Sequence, residues 1–70
     1  MSPQQKRICA YISEFGSITP YEAFRDLGIT KLATRVSEMR KDGMEFIKEP
    51  ETTVNRYGDA VKYMRYYLRE

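Results

Sequence analysis

Residues 16–30 read GSITPYEAFRDLGIT. They hold a start signal, a short apolar-periodic segment and a stop signal in fifteen positions. Thr19-Pro20-Tyr21-Glu22 predicts a reciprocal cap: the Thr19 side chain accepts from the Glu22 amide, the Glu22 carboxylate accepts from the Thr19 amide, and Pro20 fills the first helical position. The helix then spans Pro20 to Leu27, with Ala23, Phe24 and Leu27 as its buried face and Gly28 as its stop. Only Gly28-Ile29-Thr30 separates it from a third helix. There Thr30 is the expected cap, the helix runs from Lys31 to about Asp42, Leu32, Ala33, Val36 and Met39 form the apolar stripe, and Gly43 is the stop.

The same signals recur upstream. Ser2-Pro3-Gln4-Gln5 marks the start of a first helix reaching about Phe15, whose stripe is Ile8, Cys9, Ile12 and Phe15, with Gly16 ending it. Ser17-Ile18 is left as an extended link, a short strand at 17–18. Downstream the period changes. Met44 to Glu49 alternates apolar and charged residues as a strand does, Pro50 to Asp59 reads as a polar loop, and Ala60 to Arg69 reads as a second strand. A helix over 60–69 is the alternative, but its run of tyrosines favours the strand. Met64, Tyr66 and Leu68 are the expected core face of that strand, and Tyr63, Arg65 and Tyr67 the outer one.

Seventy residues, 41% hydrophobic and 31% charged, predict a single domain over 1–70 with one core and no deep pocket. No run approaches the roughly 20 apolar residues of a membrane span, and the opening residues do not resemble a signal peptide, so the cytoplasm is the expected location. The single cysteine, Cys9, reads as a small buried hydrophobe. There is no histidine, one cysteine cannot complete a zinc site, and the glycines are isolated, which argues against catalysis, a metal or a nucleotide cofactor. The net charge of +2 is unevenly spread: residues 31–42 and 56–70 each carry +2, whereas 43–55 carry −2.

Two short helices joined by a tight glycine turn, the second of them basic, describe a helix-turn-helix. A following hairpin makes it the winged variety, an α+β fold of three helices and a two-stranded antiparallel hairpin. The free side of the third helix is then Thr30, Lys31, Thr34, Arg35 and Glu38, with Ser37 and Lys41 beside it. One helix fits a DNA major groove about 12 Å wide, where such side chains read base edges and phosphates. Blander roles compete: Thr30 as a cap only, Arg35 as the ion-pair partner of Glu38 or Glu22, Arg40 as a structural residue. In the wing, Glu45, Glu49 and Glu51 oppose phosphate, leaving Lys48 and Arg56 as its contacts.

The run GSITPYEAFRDLGITKLATRVSEMRKDGMEFIKE, followed by YMRYYL, resembles the small winged helix-turn-helix domains encoded by bacteriophages, prophages and bacteria. The shared features are a Gly-Ser-Ile-Thr opening, an Ala in helix 2, Leu-Gly-Ile before the recognition helix, an Arg-x-x-Glu-Leu-Arg-like segment in which Met39 stands for the usual Leu, a Gly before the strand and a final Tyr-x-Leu. The resemblance covers Gln5 to Leu68. It implies that Leu27-Gly28-Ile29 is the turn, Thr30 to Asp42 the recognition helix, and double-stranded DNA the partner of a transcription regulator or excisionase-like factor. Four phosphate contacts, at Lys31, Arg35, Lys41 and Arg56, give a salt slope of only about −3.6. A homodimer or protein partner is therefore expected to supplement binding, with Tyr63, Arg65 and Tyr67 as its surface. The alternative function is a protein-binding module that attaches to a host protein through that tyrosine face or the acidic wing.

Overall fold

A computed structural model describes residues 1–69. Three helices, α1 (Pro3–Phe15), α2 (Pro20–Leu27) and α3 (Leu32–Lys41), precede two strands, β1 (Phe46–Val54) and β2 (Ala60–Leu68), paired antiparallel. This is the expected architecture of three helices and a hairpin. Both anticipated capping boxes form: Ser2 with Gln5, and Thr19 with Glu22, each donating and accepting at 3.0–3.2 Å. Gly16 and Gly28 adopt left-handed conformations, φ +91° and +69°, where a side chain would be strained. Both helices therefore stop where the sequence indicates.

The core joins Ile8, Tyr11 and Ile12 of α1, Ile18, Ala23 of α2, Ile29, Leu32, Val36 and Met39 of α3, and Phe46 and Tyr66 of the sheet. Two expected core aromatics are not in it. Phe15 and Phe24 are 63% and 60% exposed. Tyr11 occupies the face assigned to Phe15, packs tilted against that ring at 4.6 Å between centroids, and donates its hydroxyl to Asp26 at 2.6 Å. With Ile29 filling the space under the turn, α2 buries only small Ala23 fully, although Leu27 packs against the core. Ala33 of α3 is exposed as well, and Cys9 is half-buried rather than buried. Desolvation nevertheless raises the Cys9 thiol above its ordinary pKa, consistent with an inert side chain.

The hairpin departs most from expectation. Segment 50–54, expected as loop, is strand, and the loop shrinks to 55–59. The reason lies in the ladder. The Asn55 amide donates to the Asp59 carbonyl and the Arg69 amide to the Glu45 carbonyl, so odd-numbered residues of β1 form the hydrogen-bonded pairs and even-numbered ones turn their polar backbone outward. Pro50, opposite Met64, is even-numbered. Its missing N–H falls on the free edge, where no ladder bond is lost.

Nine-residue strands span about 30 Å, and they stretch the molecule to 39 × 21 × 21 Å. Only the base of the hairpin meets the helices. Ile18 exchanges backbone hydrogen bonds with Tyr66 at 2.8 and 2.9 Å, the residue of strand anticipated at 17–18. On the expected core face of β2, Tyr66 is buried and Leu68 packs against the core, but Met64 lies beyond the body and is 40% exposed.

Candidate nucleic-acid interface

The position of α3 is set by what it buries. Leu32, Val36 and Met39 are sealed in the core, and their spacing of four and three residues defines one side of the helix. At 100° per residue the opposite side carries Lys31, Thr34, Glu38 and Lys41, flanked by Ser37, all exposed. Thr30, also exposed, does not cap α3: Lys31 takes the cap position with φ −123° and ψ 57°, and among the described residues no side chain accepts from the first-turn amides. The expected Thr30 cap is thus absent, because Ile29 is buried in the core and the chain enters α3 one residue late. An uncapped helix N-terminus beside Lys31 is a positive locus that suits an anion.

Arg35 sits on the flank rather than the free face and is half-buried. Its Nε lies 3.2 Å from Glu38 Oε1 but is too poorly aligned for a hydrogen bond, leaving that buried N–H without a hydrogen-bond acceptor among the described residues. The same Glu38 oxygen accepts from Gln5 Nε2 at 3.2 Å. Of the two partners considered for Arg35, Glu38 is the one in contact. Glu38 is thereby tied to α1 as well as displayed on α3. Arg40 is exposed near the strand entry, lining a shallow hollow of about 350 Å³ with Met44, Phe46 and Arg69.

In the wing, Lys48 and Arg56 are exposed. The tip is braced by Asn55, whose Oδ1 accepts from the amides of Tyr57 and Asp59 at 2.9 and 3.1 Å. Glu51 does not face solvent as a simple repulsive charge: its carboxylate accepts from Arg65 Nε at 2.8 Å. That guanidinium, with the neighbouring Tyr63 hydroxyl, holds Glu51 below its ordinary pKa. Arg65 also donates to Ser17 Oγ at 2.9 Å and lies 3.6 Å from Glu22. Arg65, expected on a partner surface, is therefore an internal clasp joining β1, β2 and the start of α2. Tyr63 and Tyr67 beside it are half-buried. Its alternation with core residues in β2 had suggested an outward residue, and only the fold brings Glu22 and Ser17 to it.

Between α2 and the wing runs an open groove of about 510 Å³ lined by Pro20, Tyr21, Arg25, Val61 and Tyr63 among others. Arg25 lies 5.3 Å from the centre of the Tyr21 ring and pairs with Asp26 at 2.7 Å. No group of metal-ligating residues occurs among the described residues, and no described helix is long and apolar enough to cross a membrane.

An uncapped, basic-faced third helix set by a glycine turn, followed by a projecting hairpin, defines a winged helix-turn-helix. A family model described as "Winged helix-turn-helix domain" matches residues 3–70, and the chain belongs to that family. No curated protein and no solved structure matches it significantly.

Proposed function

We propose that this domain binds double-stranded DNA sequence-specifically, with α3 in the major groove, as a small phage or prophage transcription regulator or excisionase-like factor working in a bacterial cytoplasm. The observation that carries the reading is the division of α3. Leu32, Val36 and Met39 are committed to the core, while Lys31, Thr34, Glu38 and Lys41 stand opposite along the helix, with Lys31 and Thr34 at the N-terminal end that a groove-reading helix presents. Thr30 and Arg35 border that face, and Lys48 and Arg56 supply the wing's contacts. Membership of the winged helix-turn-helix family supports the same partner.

Selection from random duplexes followed by anisotropy titration tests it. The selected site is expected to bind with a salt slope at least as steep as about −3.6, the value for four phosphates, and Lys31→Ala with Thr34→Ala to weaken binding and relax the preference. Binding that ignores both salt and these substitutions would refute the reading.

A protein-binding role is favoured by one observation, the groove between α2 and the wing with its exposed Tyr21 and Val61. In that reading Tyr63→Ala with Tyr67→Ala abolishes capture of a host protein while duplex binding is absent in the parent.

A further inference from the structure

The segment 43–55 is net acidic, yet the register of the hairpin sorts its charges. Side chains alternate between the two faces of a strand, and directly paired residues share a face. Phe46, Lys48, Pro50, Thr52 and Val54 of β1 therefore lie on one face with Ala60, Lys62, Met64, Tyr66 and Leu68 of β2. That face holds two lysines and, between residues 46 and 68, no carboxylate. The other face holds Glu49 and Glu51 opposite Arg65 and Tyr63, and Glu51 neutralises Arg65. Glu45, just before β1, lies 3.7 Å from Arg69.

Phe46 and Tyr66 are buried at the base of the lysine face, so this is the face that turns toward the core. Beyond the core it continues as an exposed strip with Lys48 and Lys62. Lys62 is opposite Thr52, four positions from Lys48, which separates the two lysines by roughly 14 Å along the strands. Arg56 is exposed in the tip loop braced by Asn55, beyond the end of the strip. A face with two lysines and no carboxylate and a face with Glu49 and Glu51 are not equivalent toward a polyanion.

We propose that the wing lies on the phosphate backbone by its lysine face, with Lys48 and Lys62 as its contacts and Arg56 added at the tip, and that the carboxylate face, held to Ser17 and Glu22 through Arg65, is turned away from the duplex. This rests on the DNA-binding reading above and adds Lys62 and a direction of approach to it. Residues 43–55 then do not repel the duplex despite their net charge, because their carboxylates point away from it.

The test is a salt titration of a mixed-sequence DNA duplex with the full chain and two variants of opposite charge change: Lys48→Gln with Lys62→Gln, and Glu45→Gln with Glu49→Gln. All four side chains are exposed, and matching melting curves confirm that the variants fold. The lysine pair is expected to reduce the magnitude of the salt slope by about 1.8, two contacts at about 0.9 each, and to lower affinity at least tenfold at low salt. The glutamate pair is expected to change affinity less than twofold. An unchanged slope in the lysine variant overturns the proposal. So does a gain in the glutamate variant as large as the lysine loss, since net charge alone would then account for both. Should Lys31→Ala with Thr34→Ala weaken binding while the lysine pair does not, the one-sided wing falls and the groove-reading helix stands. Absence of salt-dependent binding by the parent chain overturns both.

Discussion

The helical body and the wing of this small domain are held together by opposite means. In the body, the ends of α1 and α2 are specified within a few residues: Thr19 and Glu22 cap one another, and Gly28 turns the chain. The side chains then meet in one core. In the wing, nine-residue strands run well past that core, and most of their side chains are exposed. A backbone ladder, a loop folded around Asn55 and the Arg65 clasp replace apolar burial. The contrast teaches that a minimal domain spends its apolar residues on fixing α3 and leaves the projecting element to pairing and charge.

The sharpest way to break this division is at the residue that belongs to both parts. Ile18 is fully buried and bridges Tyr66, so Ile18→Ala should cost about 2–5 kcal/mol through lost burial and a residual cavity. That is a large fraction of the total stability of a domain this size, and denaturant unfolding followed by circular dichroism should show it plainly. Thr19→Ala confines damage to the body. Losing the side-chain acceptor at the start of α2 should cost about 1 kcal/mol, lowering the melting temperature with the hairpin intact.

Arg65→Met should do the reverse. Removing the clasp frees Glu51, Ser17 and Glu22, and hydrogen exchange is expected to rise in β1 and β2 more than in α1. If α1 and the wing amides accelerate equally, the two regions unfold as one and the contrast fails.

Acid titration gives a smaller effect in both regions. Asp26 is held down to about 2 by its hydrogen bonds from Arg25 and then Tyr11, and Glu51 is lowered by Arg65 and then Tyr63. Both folded pKa values are depressed, so their stabilisation is complete above the unfolded carboxylate values near 4 and is lost as pH falls through the lowered ones, for Asp26 toward about 2. The melting temperature should be level above about pH 5 and decline below it, with Asp26→Asn reducing the decline. Pro50→Val probes the free edge. A restored outward N–H gives a second strand a donor to pair with, and the apparent mass by light scattering should rise with concentration more than for the parent, with little change in melting temperature.

What could be read directly follows these same lines. The bounds of α1 and α2, both capping boxes, and the glycine stops were legible because each depends on contacts three or four residues apart. Lys31, Thr34, Glu38 and Lys41 were legible as a free face because helix periodicity is equally local. The Phe15 and Phe24 assignments failed because a stripe says which side of a helix is apolar, not whether a neighbour is long enough to cover its end. Pro50 was misread for a related reason: proline breaks a strand only where its nitrogen faces a partner, and that parity is a property of pairing.

By itself, then, the sequence determined the helices, their terminators and the winged helix-turn-helix order of elements, since hydrogen-bonding caps and periodic burial act over short spans of chain. Only the tertiary structure decided that Arg65 is a clasp, that Thr30 does not cap α3, and that the charges of the wing are divided between two faces. Those outcomes turn on the register of residues as far apart as Glu51 and Arg65, or Ser17 and Arg65, and register is set when the strands meet.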